Sequence, residues 1–127
     1  MSKKYTEKVY NRDEIELVLR RSLPNWKFNE NYLERQCETN DWKGTLLLIN
    51  AVGHLSEVAW HHPELIANYN TLEIRLNTHD ADGVTDRDFA LAEKIEELLL
   101  WRPGKEEDAR LMGTPDTSEN RYLVYDD

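Results

Sequence analysis

Three of the chain's four histidines fall between two carboxylates: Glu57, then His61 and His62 ahead of Pro63, then His79, then Asp88. Imidazole gains and loses a proton near neutral pH, so such a set suits general acid–base catalysis without a cofactor. One ring can hand a proton to a departing oxygen while another takes one from the neighbouring atom. Metal binding is the competing use of the same residue types. Adjacent histidines diverge on most backbones, no His-Glu-x-x-His segment occurs, and Cys37 stands alone, so no metal site is expected. Neither a nucleophile elbow nor a glycine-rich phosphate loop is present.

Each of these residues also has a plainer role open to it. A histidine pair before proline can simply close a helix. Asp88 follows Thr85 at capping-box spacing. Glu57 reads as a surface or supporting carboxylate, Tyr69 as a packing residue at a turn, and His54 as structural.

The elements that must position the histidines follow from periodicity. Residues 1–10 are polar and expected to be loose. Asn11 and Glu14 form a capping-box pattern that starts a helix with Ile15, Val18 and Leu19 on one face, stopped by Pro24. Trp26 and Phe28 alternate with polar neighbours as in a strand, Asn29-Glu30-Asn31 turns the chain, and Tyr32 to Glu38 returns it as a hairpin. Asn40-Asp41 can cap a long helix from Trp42 to Trp60 that is apolar around most of its circumference. Pro63 ends that helix and leaves His61 and His62 at its C-terminus. Glu64 to Tyr69 reads as an edge strand, and Thr71 to Thr78 as a strand with Leu72, Ile74 and Leu76 on one side. By that parity His79 leaves on the polar side. Thr85 then caps a last helix running to Leu100, with a stripe of Phe89, Ala92, Ile95 and Leu99.

With 127 residues and 15.0 kDa the chain can fold around one core. We divide it into a domain over residues 1–103 and an acidic tail over residues 104–127, in which Arg121 to Tyr125 could add a strand or dock on a partner. A net charge of −9 repels phosphate backbones, so no direct nucleic-acid partner is expected. No apolar run reaches membrane length and no apolar stretch follows Met1-Ser2-Lys3-Lys4, so neither a membrane span nor a secretory leader is expected. A cytoplasmic location, with a single reduced cysteine, is the default. The second apolar face of the Trp42–Trp60 helix points to a homo-oligomer.

The succession Glu57, three residues, His61-His62-Pro63, five residues, Tyr69, nine residues, His79, eight residues, Asp88 resembles the signature of the pterin-4a-carbinolamine dehydratases. The run Gly83 to Ala92 resembles the start of that family's last helix, and the likeness extends from about Asn11 to Leu100. It implies a two-layer α+β fold: an antiparallel sheet of two hairpins, about four strands, with helices on one face. It also implies a homodimer built sheet edge to sheet edge, or a homotetramer paired again through helices. The implied activity is that of a lyase, dehydrating 4a-hydroxytetrahydropterin to quinonoid dihydropterin. In that likeness His61 and His79 carry the proton transfers and His62 orients the pterin and shares the work. The main chain at Pro63, Thr78, His79, Asp80 and Ala81 holds the flat ring, while Glu57, Trp60, Tyr69 and Asp88 support the site. No metal or other cofactor is implied. Relatives often carry a small polar residue where this chain has Trp60, and the segment beyond Pro103 is longer than usual. The alternative from the same likeness is a binding or assembly protein, such as a dimerisation cofactor of a homeodomain transcription factor or an assembly factor for ribulose-bisphosphate carboxylase.

Overall fold

A computed structural model of the protein describes residues 7–125. Most of the stretch expected to be loose, residues 1–6, lies outside that range. The remainder of it is not loose: the Tyr10 N–H bonds the Val84 carbonyl at 2.9 Å and its ring packs edge-on against Phe89. Helix α1 spans Arg12–Ser22 with the full capping box, Asn11 accepting from Glu14 N and Glu14 from Asn11 N, both at 2.9 Å. Ile15 and Leu19 face inward.

Strands β1 (Lys27–Asn29) and β2 (Tyr32–Thr39) make the first hairpin. The first strand starts later than the alternation suggested, because the Trp26 N–H is taken by the Leu23 carbonyl in the turn after α1. Helix α2 spans Trp42–Ala59 and is capped by the Asp41 carboxylate on Gly44 N. The second hairpin joins β3 (Glu64–Asn68) to β4 (Thr71–Leu76), and α3 spans Asp86–Leu100. The sheet is antiparallel throughout, in the order β1-β2-β4-β3.

A fifth short strand, β5 (Leu123–Val124), returns to β2 opposite Thr39 and Glu38. Asn40 N bonds the Tyr122 carbonyl at 2.9 Å, and Leu123 joins the core.

Leu72, Ile74 and Leu76 from β4 meet Leu48 and Val52 of α2 and Phe89, Ala92, Ile95 and Leu99 of α3 in one cluster. Each of these side chains larger than alanine contributes on the order of 1.5–3 kcal/mol through burial. Glu96 also lies inside, which the apolar stripe of α3 did not foretell. Its carboxylate accepts from Trp26 Nε1 at 2.7 Å, Asn25 Nδ2 at 2.9 Å and Arg35 Nε at 2.9 Å, so a buried charge is fully partnered. On α2, Trp42, Leu46, Leu47 and Val58 remain exposed. No helix among the described residues is long and apolar enough to cross a membrane.

Candidate active site

The register of the second hairpin builds the site. Glu64 pairs with Arg75, so the chain entering β3 runs beside the chain leaving β4. His61, His62 and Pro63 therefore lie at the same end of the hairpin as Thr78 and His79. Tyr69 sits in the turn at the opposite end, roughly 15 Å away at the rise of a strand. Its carbonyl accepts from Thr45 Oγ1 at 3.0 Å, a structural task rather than one at the histidines.

How α2 ends decides which histidine turns inward. Trp60 adopts the left-handed conformation (φ 54°, ψ 46°). Its N–H reaches the Glu57 carbonyl at 3.2 Å, and the His61 N–H folds back to the Ser56 carbonyl at 3.1 Å. That is a Schellman closure, in which the residue after the left-handed one returns onto the helix. His61 is thereby buried, while His62 points out. Glycine or asparagine normally supplies the left-handed residue, and a bulky side chain there costs on the order of 1 kcal/mol or more.

His61 Nε2 meets Asp88 Oδ1 at 2.6 Å, with Asp88 wholly enclosed. The other oxygen, Oδ2, accepts from Thr78 Oγ1 at 2.7 Å and from Thr85 N at 2.9 Å. Thr78 Oγ1 lies 2.6 Å from Thr85 Oγ1, which in turn accepts from Arg87 N at 3.3 Å. A hydroxyl has one proton to give, so the chain has one consistent direction: Thr85 donates to Thr78, and Thr78 to Asp88. Asp88 is thus both the capping-box residue of α3 and the partner of His61. Although it lies at the end of a helix, His61 is tied into the buried corner. Removing its ring would strand a buried carboxylate oxygen.

His79 is exposed and begins a single 3-10 turn, His79–Ala81. The turn closes on itself through Ala81 N to Thr78 O at 3.0 Å and Thr78 N to Gly83 O at 2.8 Å. Asp80 accepts from Arg87 Nη2 at 3.3 Å, and the same guanidinium binds Glu7. Carboxylates on both sides, Glu7 first, push Arg87 further up from its ordinary range. Arg87 and Glu7 escaped the sequence reading. The charged start of α3, Asp86-Arg87-Asp88, was the available signal for Arg87, whereas nothing local marks Glu7.

The second pair is open to water. His62 Nε2 lies 2.9 Å from Glu57 Oε1, and the Trp60 indole stands edge-on to the His62 ring at 5.0 Å. His54 is exposed on α2 away from this cap. Among the described residues, no group of three or more His, Cys, Asp or Glu side chains is placed to hold a metal ion.

An open antiparallel sheet backed by three helices, with a carboxylate-held histidine where a helix cap meets a hairpin end, defines a small α+β protein with one polar corner. The chain belongs to the pterin 4 alpha carbinolamine dehydratase family, whose model matches residues 8–98. A provisionally named pterin-4-alpha-carbinolamine dehydratase of Aquifex aeolicus is 38% identical over 78 residues, covering 61% of this chain and 79% of that protein. One of the same provisional name from Acidobacterium capsulatum is 44% identical over 78 residues, covering 61% and 85%. The crystal structure of a transcriptional coactivator/pterin dehydratase from Brucella melitensis shares the fold, with a TM-score of 0.65 and 24% identity over 72% of this chain and 98% of that one. Residues beyond 98, including β5, fall outside the family match.

Proposed function

We propose that the protein dehydrates a 4a-hydroxytetrahydropterin to the quinonoid dihydropterin. The observation that carries this reading is the buried His61–Asp88 pair, tied through Thr78 to the turn that bears His79. The reaction breaks the C4a–O bond, with its electron pair leaving on oxygen, and forms the C4a=N5 bond. Oxygen takes a proton from an acid, N5 gives one to a base, and water departs. With Asp88 accepting three donors, it serves as a carboxylate, and the Nε2–H of His61 donates to it. That fixes the tautomer and leaves Nδ1 as the nitrogen that exchanges a proton, the same orienting logic by which a carboxylate serves a catalytic histidine elsewhere. His79, exposed at the rim, is the second proton carrier. His62 orients the ring and shares the work, and main chain at Pro63, Thr78, Asp80 and Ala81 holds it.

The test is a stopped assay with synthetic 4a-hydroxytetrahydropterin. Replacing His61 by Gln or His79 by Ala should each slow dehydration by at least about tenfold. A strong chelator should leave the rate unchanged, since among the described residues no three His, Cys, Asp or Glu side chains are grouped to hold an ion. Full rate in both variants would discard this reading. A binding or assembly role would then stand in its place, supported by the apolar side chains Trp42, Leu46, Leu47 and Val58 that α2 leaves exposed. The same exposed side chains support pairing of subunits, which light scattering would report.

A further inference from the structure

We infer that Trp60 is a substrate-positioning residue, whose indole offers a stacking surface to the flat ring of the pterin beside His61 and His62. The inference rests on the dehydratase reading for its ligand and on independent geometry for its site. Position 60 must be left-handed for α2 to close and for His61 to turn inward. Only the backbone is needed for that, and asparagine or glycine would supply it with less strain. The residue is 73% exposed, so core packing does not explain an indole here either. What the indole does touch is His62, edge-on at 5.0 Å, with an interplanar angle of 81°. His62 is held from its other side by Glu57 at 2.9 Å. An aromatic wall is therefore kept at a disfavoured backbone position, next to the exposed imidazole of His62.

A wall of this kind acts on binding rather than on proton transfer. It meets the ring equally in the ground and transition states, so its removal should raise KM and spare kcat. The experiment compares the full chain with Trp60→Asn and Trp60→Phe, in the dehydration assay and in equilibrium binding of a 7,8-dihydropterin. Asparagine tolerates the left-handed region, so Trp60→Asn should keep the fold and raise the thermal midpoint by about 3 °C. Its KM and its Kd for the dihydropterin should rise by about three- to tenfold with kcat nearly unchanged. Trp60→Phe, which keeps an aromatic face, should stay within about twofold of wild type in both. Wild-type KM and Kd in Trp60→Asn would overturn the inference. So would a fall in its thermal midpoint accompanied by loss of kcat, because the indole would then be a structural cap. If the wild type binds the dihydropterin yet dehydrates nothing, the dehydratase reading falls while the binding comparison still decides Trp60. A wild type that neither binds nor dehydrates would overturn both.

Discussion

Adjacent histidines each meet a carboxylate in this protein, His61 with Asp88 at 2.6 Å and His62 with Glu57 at 2.9 Å. The bonds are alike and the surroundings are opposite. Side chains of the first pair are 10% and 0% exposed, and those of the second 52% and 69%. A buried polar group must find its partners inside the protein or bear the full cost of desolvation, whereas an exposed one exchanges its partner for water at little cost. The first pair is therefore part of the architecture, joined to Thr78, Thr85 and the start of α3. The second is an adjustable rim. One left-handed residue, Trp60, separates these two fates.

The largest effect should come from breaking the inner pair at Asp88. Asp88→Ala leaves the His61 ring, the Thr78 hydroxyl and the Thr85 N–H without their acceptor. Stability in urea should fall by about 3 kcal/mol. Dehydration should fall at least as far as in the His61 variant. A loss below about 1 kcal/mol would mean that water enters the corner and that the contrast with the rim is overstated.

Thr78→Val keeps the shape and removes the hydroxyl that donates to Asp88 Oδ2. About 1–2 kcal/mol of stability should go, measured the same way, while Thr78→Ser should recover most of it. This variant sharpens the comparison because it leaves both members of the His61–Asp88 pair in place and loosens only what holds them.

Much of this corner was legible in local sequence, and the reasons are local. The capping boxes Asn11/Glu14 and Thr85/Asp88 are fixed by a three-residue spacing, and both form. The alternation Leu72, Ile74, Leu76 gave β4 its inner face and placed His79 on the outside. Other features depend on contacts between distant segments. That the second oxygen of a capping residue would receive His61 requires α2 and α3 to meet, and no spacing encodes it. Which of two neighbouring histidines turns inward hangs on the dihedral angles of Trp60, a residue type rarely found left-handed. Glu7 and β5 are likewise set by partners 80 and more residues away, Arg87 and β2.

Glu96 is a second buried charge, with a side chain 10% exposed like that of His61 and no histidine involved. Burial works against its charge, but the bonds from Arg35, Asn25 and Trp26 outweigh burial and hold its carboxyl below the ordinary value of 4.5. The folded pKa lies below the unfolded one, so the stability it contributes is complete above 4.5 and is lost as pH falls through the lower folded value. Thermal midpoints followed from neutral pH into that acid range should fall for the wild type. Glu96→Gln should start lower and decline less steeply. Parallel declines in the two proteins would remove Glu96 from the account of acid unfolding.

The smallest effect should come from the rim carboxylate. Glu57→Ala removes the bond to His62 but leaves no buried group unsatisfied, because His62 can turn to water. The exposed backbone of α2 accepts alanine readily, so the helix gains propensity while losing one weak pair. Stability should stay within about 0.5 kcal/mol of wild type in urea. In the dehydration assay kcat should hold and KM should rise by no more than about twofold, since Trp60 still braces the His62 ring. About 1 M salt should narrow even that difference, as it screens exposed charges over a few ångströms. A loss comparable to that of Asp88→Ala would show that the outer pair is as structural as the inner one. The division made by the Trp60 cap would then have no energetic meaning.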